Sequence, residues 1–348
     1  MFLDRLALTN YRNHKDLKVE FSSEISLITG LNGSGKTNIL EAIHFLSTTK
    51  SFRAKYDIDL ITHNEDFALV KAKIKKNGTT EDLEIQVVKS TKDDNRSVKK
   101  VKFNNVSKKL SSFTSKFTTV LFSPESLNII TGSPSLRRNY LDSIFFQVDE
   151  SYKKDSSLYK KALKQRNKVL ELISLRGQGQ SQLPYWNEKI LTLGNKIQEK
   201  RVELFSYLKE FLGKDGKDLY KVTYDKNIIS SQKVDDYYLK ELAAKRTLVG
   251  PHLDDFMMYS SEGELDQFGS RGQQREAIFI LKLAEIGFLQ AYTGEKPVLL
   301  LDDIFSELDN IHREKVLSLV NEQQTIITSA ENVRESFHHV LLDKVIRL

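Results

Sequence analysis

Ile25-Ser-Leu-Ile-Thr29 is a short aliphatic and β-branched run that stops at Gly30. From Lys36 the apolar positions change to a helical spacing at Ile39, Leu40, Ile43 and Leu46. That change of period predicts a strand, a turn and a helix in succession. Val70, Ala72 and Ile74 alternate with Lys71, Lys73 and Lys75, the period of a half-exposed strand, and Leu83, Ile85 and Val87 continue the meander. Thr91 to Lys100 is polar and reads as a hairpin loop, and Thr119-Val-Leu-Phe122 as a further strand. From about Ser135 the spacing becomes helical, with Leu141, Ile144, Phe145 and Val148 and then a Lys-rich helix over about Ser157 to Ser174. Gly177 to Pro184 breaks it. Beyond the break, Trp186, Ile190, Leu193, Ile197, Leu204, Leu208 and Phe211 form one stripe on a long helix. The chain returns to α/β near Leu239, with an apolar helix over Glu276 to Leu289. Val298-Leu-Leu-Leu301 and Thr325-Ile-Ile-Thr328 are continuous runs, as in strands covered on both sides.

Composition narrows the picture. Of 348 residues, 39% are hydrophobic, enough for a sizeable core, and there is no cysteine, which excludes disulfides, thiolate catalysis and cysteine metal sites. The amino-terminal residues carry Asp4 and Arg5 in place of a long apolar run, and Val298 to Leu301 is far too short to span a bilayer. The expectation is a soluble, cytoplasmic protein with no membrane partner. The net charge of +6 favours polyanions without choosing among them.

Chemistry enters at the turn. Gly30, Leu31, Asn32, Gly33, Ser34, Gly35, Lys36 and Thr37 fit the pattern G-x-x-x-x-G-K-[ST] at every fixed position. Glycines let backbone N–H groups approach phosphate oxygens, Lys36 supplies charge to the β and γ phosphates, and the Thr37 hydroxyl is a ligand for Mg²⁺. The helix that follows directs its positive end at the same place. The second acidic element is Leu299-Leu-Leu-Asp302-Asp303. A buried strand there delivers two carboxylates at its C-terminal end, where ligands gather in open α/β sheets. Asp302 would hold the metal, directly or through water, and Asp303 would orient or activate the attacking water. More than 260 residues separate Lys36 from Asp302, and the helical segment fills that gap.

Phe268-Gly-Ser-Arg-Gly-Gln-Gln-Arg275 stands just before the apolar helix. Ser270 with Gly272 resembles the signature of ATP-binding-cassette ATPases, although Ser270 also reads as a plain helix cap. In that superfamily the signature completes the opposite protomer's site, so the resemblance implies an ATP-dependent homodimer in which Ser270 takes part in catalysis and Gly272 in nucleotide binding. Ser306-Glu-Leu-Asp309 resembles its D-loop, and Ser329 stands where relatives place a γ-phosphate-sensing histidine, which implies slow, switch-like hydrolysis.

Other stretches resemble the RecF family, on the branch with structural-maintenance-of-chromosomes heads. They are Leu8-Thr-Asn-Tyr-Arg-Asn13, Asn38-Ile-Leu-Glu-Ala42, Lys50-Ser-Phe-Arg53, Phe122-Ser-Pro-Glu125, Arg137-Arg-Asn-Tyr-Leu-Asp142, Val249-Gly-Pro-His252 with Asp254 and Asp255, and Leu300 to Asp309. Leu253 departs from the family's Gly-Pro-His-Arg-Asp-Asp. The resemblance implies an α/β fold, an ATP-binding-cassette-type ATPase head with an inserted all-helical domain. It divides the chain into head residues 1–134, a helical arm 135–238 and head residues 239–348. It implies a slow DNA-stimulated ATPase that uses ATP and Mg²⁺, binds duplex DNA at gaps or junctions, and acts with RecO and RecR to load RecA in repair, replication and the SOS response. It places Arg12 near the α-phosphate or base, against the alternative of a surface turn, and offers Glu125 as a metal-sensing residue.

Lys161, Lys164 and Lys168 share a helix face beside Lys160 and Arg166, and Lys99 and Lys100 belong to a second basic group. Such groups contact phosphates without reading sequence, or are simply solvated faces. The rival readings are another ATP-gated chromosome-maintenance-like clamp, a transporter ATPase subunit, and a P-loop phosphotransferase.

Overall fold

The computed structural model describes the whole chain except residues 91–92, 114, 214–218, 305–319, 321 and 330–342, together with the side chains of 93–96. Two compact units emerge: residues 1–126 with 146–148 and 285–348, and residues 127–145 with 149–284.

The first unit opens with β1 (Phe2–Tyr11), β2 (His14–Glu20), β3 (Ile25–Thr29) and α1 (Lys36–Thr48). It continues with β4 (Phe67–Lys76), β5 (Thr79–Ser90), β6 (Asp93–Phe103), β7 (Val106–Lys108) and β8 (Thr119–Phe122). An antiparallel sheet runs in the order β2-β1-β4-β5-β6-β7. Its register sets Val70 opposite Ile85 and Ala72 opposite Leu83, so one face is apolar and buried while Lys71, Lys73 and Lys75 face out. The expected hairpin loop over Thr91 to Lys100 is corrected: residues 93–100 belong to β6, which pairs with β5 from Leu83↔Phe103 to Lys89↔Ser97. Only Val98, Val101 and Phe103 are apolar there, too few to show a strand by alternation.

The second unit contains α2 (Asn128–Thr131), most of α3 (Pro134–Val148), α4 (Glu150–Arg176), α5 (Leu183–Leu212), β9 (Lys221–Asp225), α6 (Ser231–Asp236) and α7 (Tyr238–Ala244). β10 (Asp255–Ser260), β11 (Gly263–Glu264) and the first part of α8 (Arg271–Thr293) complete it. α4 and α5 are the expected helical hairpin. Asp149 caps α4 by accepting from the Tyr152 N–H, and left-handed Gly177 (φ 62°) ends it. The middle segment is not wholly helical, since β9 pairs with β10 in a small antiparallel sheet. The two compact units divide at 126/127 and 284/285, with residues 146–148 in the first, where the sequence pattern sets edges at 134/135 and 238/239. The reason is polar as well as apolar: Tyr220 Oη donates to Glu276 at 3.0 Å, and the Lys282 ammonium sits 4.6 Å from the Tyr140 ring centre, so the start of α8 belongs with the arm.

Two sequence motifs meet inside this unit. Arg137 binds Asp255 through Nε (2.6 Å) and Nη2 (2.7 Å), and Arg138 Nη1 reaches the Asp254 carbonyl at 2.9 Å. Buried Arg201 bridges Asp142 (3.1 Å) and Asp254 (2.9 Å), and Tyr224 and Gln198 also bond Asp254. His252 is held between the Tyr159 hydroxyl (2.8 Å) and the Thr247 carbonyl (3.1 Å), and burial lowers its pKa. A histidine with a depressed folded pKa is protonated more readily when unfolded. Its contribution is therefore complete above about pH 6.5 and is lost as pH falls through the folded value. The urea midpoint of this unit should drop between pH 7.5 and 5.5, and His252→Gln should flatten that dependence. Fluorescence of Trp186, the single tryptophan, reports the transition.

The chain closes in the first unit with β12 (Val298–Asp302), β13 (Thr325–Ser329) and β14 (Lys344–Arg347). They build a parallel sheet in the order β14-β3-β13-β12-β8. β12 and β13 are buried along their whole length, as the continuous apolar runs predict. α1 packs on strands of both sheets and is buried on nearly every side, which is why its polar residues Glu41 and His44 lie inside.

Candidate nucleotide site

The site stands at the C-terminal edge of the parallel sheet. β3 ends at Thr29, residues 30–35 turn, and α1 starts at Lys36. Gly35 has φ 102°, and a Cβ there would lie 2.5 Å from His14 Nε2 and 2.6 Å from Asn13 Oδ1, so only glycine fits. Asn13 Nδ2 donates to the Ser34 carbonyl (3.1 Å), and the His14 ring bonds the Gly35 carbonyl (3.1 Å), so the turn between β1 and β2 braces the loop. Lys36 is buried and its Nζ donates to the carbonyls of Gly30 (2.7 Å) and Leu31 (3.0 Å), which centres the cation within the loop.

The two expected halves come together. Thr37 Oγ1 donates to Asp302 Oδ1 at 2.9 Å across 265 residues of sequence. Thr328 Oγ1, at the end of β13, donates to the same oxygen at 2.7 Å and accepts from the Asp303 N–H at 3.1 Å. Burial raises the Asp302 pKa, while the two threonine hydroxyls pull it back; Glu125 adds to the rise and Arg53 opposes it. Asp303 has φ 48°, an uncommon conformation for a non-glycine residue, which turns the chain sharply at the strand's end.

These residues fit Mg²⁺ and a polyphosphate. The donors are a threonine hydroxyl and one carboxylate, hard oxygens suited to an ion that keeps waters and takes phosphate oxygens. Among the described residues no cage of three or more acidic or histidine ligands exists that would hold a metal by itself. The Ser34 hydroxyl within the loop is buried without a partner in the chain, as suits a group that meets a ligand.

Arg12 is more than a surface turn. Its Nε and Nη2 pair with both oxygens of fully buried Glu41 (2.8 and 2.7 Å), and Nη1 reaches the Asp59 carbonyl (2.9 Å). Ser270 and Gln273 form a reciprocal cap at the start of α8: the Ser270 N–H reaches Gln273 Oε1 at 2.8 Å, and the Gln273 N–H reaches Ser270 Oγ at 3.2 Å. Ser270 and Gly272 are both exposed, so the cap leaves the signature segment open. Residues 306–309 and Ala330 lie outside the described residues; Ser329 is buried at the end of β13. Thr328, Glu41 and Arg53 were not among the expected site residues. A threonine in a β-branched run carries no distinguishing signal, and Glu41 and Arg53 stand out only by their places in the Asn38–Ala42 and Lys50–Arg53 stretches.

The basic groups separate. Lys161, Lys164 and Lys168 are exposed along α4, as their spacing predicts. Arg166 is fully buried and leaves that group. Lys99 pairs with Asp57 (2.8 Å) and donates to the Thr49 carbonyl (2.8 Å), while its neighbour Lys100 is exposed on β6. A groove of about 560 Å³ on the outer face of the antiparallel sheet, lined among others by Lys18, Lys73 and Glu84, shares no residue with the phosphate loop.

The profile of the RecF/RecN/SMC N-terminal domain matches residues 2–344. The DNA replication and repair protein RecF of Bacillus cytotoxicus is 33% identical, covering 94% of this chain and 92% of the relative. The protein of the same name from Pediococcus pentosaceus is 36% identical over the same shares. The chain belongs to the RecF family. Two solved structures of the recombination mediator protein RecF in the RecFOR pathway share the fold. The one described as RecF-ATPrS has a TM-score of 0.88 at 30% identity, covering 100% of this chain and 96% of its own. The one described as RecF-ATP has a TM-score of 0.86 at 31% identity, over 96% and 93%. The RecF fold is an α/β ATPase head of the ATP-binding-cassette type, and the chain has a role in recombinational DNA repair. Among the described residues no helix is long and apolar enough to cross a membrane.

Proposed function

We propose that this chain is a slow, DNA-stimulated, cytoplasmic ATPase whose two copies close on ATP and Mg²⁺, hold duplex DNA at gaps or junctions, and act with RecO and RecR to load RecA. The observation that carries the reading is the pair of hydrogen bonds from Thr37 and Thr328 to Asp302 beside the phosphate loop. Lys36 and the backbone N–H groups of residues 30–37 would bind the phosphates. Thr37 and Asp302 would hold Mg²⁺, which would neutralise charge on the polyphosphate. Asp303 would orient the attacking water. Ser270 and Gly272 on exposed ground would meet the nucleotide held by the other copy, so ATP contributes most to binding in the closed dimer. The buried hydroxyl of Ser329 cannot act as an imidazole would, which supports slow turnover. Lys161, Lys164, Lys168 and Lys100 would contact DNA phosphates.

Sedimentation with ATP, with ADP and without nucleotide, each with and without duplex DNA, tests the reading. A dimer formed only with ATP, and binding DNA more tightly, is the expected result; a monomer throughout would sink it. The shared site has a sharper test in mixed protomers. Lys36→Ala and Ser270→Arg are each expected to be inactive, and an equal mixture should regain about one quarter of wild-type ATPase, because half the dimers carry one intact site of two. No recovery on mixing would exclude a site shared between copies.

A further inference from the structure

β13 lies between the strand that runs into the phosphate loop and the strand that ends in the acidic pair, and Thr328 stands level with Ile28 on one side and Asp302 on the other. Its side chain is buried and makes two contacts at that seam. The hydroxyl donates to Asp302 Oδ1 at 2.7 Å and accepts the Asp303 N–H at 3.1 Å. A hydroxyl has one proton and two lone pairs, so it does both at once. The Leu301 carbonyl lies 3.4 Å from the same hydroxyl, but the carboxylate is nearer and charged and takes the proton. Thr37 Oγ1 also donates to Asp302 Oδ1 (2.9 Å). The two hydroxyls therefore occupy both lone pairs of Oδ1, and Oδ2 is the oxygen left for a metal ion or its water. Thr37 keeps its own lone pairs for the same ion.

The second contact reaches the other member of the acidic pair. Asp303 turns at φ 48°, and its N–H is shared between the Thr328 hydroxyl (3.1 Å) and the Thr328 carbonyl (3.2 Å). The side chain that fixes Asp302 thus also ties down the backbone turn at Asp303. We propose that Thr328 is the positioning residue of the acidic pair: its hydroxyl orients Asp302 for Mg²⁺ and holds the Asp303 turn, so that metal loading and hydrolysis both need a hydroxyl at this position. The inference rests on the reading that Asp302 holds Mg²⁺ at a nucleotide bound to residues 30–37. Removing a group that holds a metal's ligand in place costs about ten- to a hundred-fold in metal affinity or activity. The fold is less affected by the same loss. Without the hydroxyl the Asp303 N–H keeps the Thr328 carbonyl, and Asp302 keeps Thr37, so neither is left without a partner.

The test is calorimetric binding of a non-hydrolysable ATP analogue to the full chain, in EDTA and over a range of Mg²⁺, with steady-state ATPase and thermal unfolding beside it. Thr328→Val keeps the shape of the side chain and removes the hydroxyl. It is expected to bind the analogue like the wild type in EDTA and to need about ten-fold more Mg²⁺ for the gain in affinity that the metal brings. Its kcat should fall by about ten-fold or more, with KM at saturating Mg²⁺ little changed. Thr328→Ser keeps the hydroxyl and should restore both quantities to within about three-fold of wild type. A threonine that only supports the fold would lower the unfolding midpoint and leave the Mg²⁺ requirement alone, and that result overturns the proposal. So does a Thr328→Ser variant as impaired as Thr328→Val. Should Thr328→Val fail to fold, Thr328→Ala carries the same comparison with Thr328→Ser. Asp302→Asn separates the two levels: if it too keeps the wild-type Mg²⁺ requirement, the reading of Asp302 as the metal ligand falls, whereas if it alone raises that requirement, only the role of Thr328 falls.

Discussion

Lys36→Ala is expected to weaken ATP binding by about two to three orders of magnitude and to abolish the ATP-dependent dimer, with the unfolding midpoint little changed. The Lys36 ammonium lies inside the loop, bonded to the carbonyls of Gly30 and Leu31, so its position is set before any phosphate arrives. Its three donors suit phosphate oxygens better than neutral carbonyls. Losing two charge-assisted hydrogen bonds at the lower end of their range, about 1.5–2 kcal/mol each, leaves a deficit near 3–4 kcal/mol, or about 10²–10³ in affinity. The fold should not suffer comparably, because the loop is also braced by Asn13 and His14. Titration calorimetry and sedimentation with ATP measure both effects. ATP binding within three-fold of wild type would mean that the loop is not the nucleotide site.

The phosphate loop and the acidic strand are legible in sequence because each requires residue types that few other roles demand: glycines at positive φ, a lysine at a helix start, and carboxylates ending an apolar run. The parallel sheet is legible for a related reason, since strands buried on both faces are apolar without interruption, and β12 and β13 are buried throughout. What stays hidden is set by partners distant in sequence. Thr328 looks like any β-branched residue until β13 places its hydroxyl on Asp302. Glu41 reads as the polar position of an amphipathic helix, yet α1 is covered from both sides and the carboxylate becomes a buried hub. β6 is an outer strand dominated by lysine and polar residues, so its pattern resembles a loop. Arg166 reads as one more cation among Lys160, Lys161, Lys164 and Lys168, although its spacing from Tyr159, Ala162, Val169 and Ile173 puts it on the buried stripe of α4.

That buried arginine yields the largest expected loss of stability. Arg166 is fully inaccessible and joins three helices: Nη2 pairs with Glu241 on α7 (2.6 Å), Nε with Asn187 on α5 (2.7 Å), and Nη1 with Thr247 Oγ1 (2.8 Å). Glu241 is equally buried, and its other oxygen accepts the Leu248 N–H at 2.8 Å. Glu241→Ala would leave a guanidinium in the interior with no countercharge and the Leu248 N–H without an acceptor. The expected cost is about 3–5 kcal/mol, a large part of the 5–15 kcal/mol that holds a typical domain together. Removing both charges avoids the uncompensated ion, so Arg166→Met with Glu241→Ala should be less destabilised than Glu241→Ala alone. Trp186 packs beside Val169, Leu170, Ile173 and Leu183 with Tyr238 and Leu242, so its fluorescence follows this joint directly in urea. A Glu241→Ala midpoint equal to the wild type, at an unchanged slope, would show that the pair adds nothing to stability. A double variant as unstable as the sum of the two single ones would show that the two charges do not act through one another.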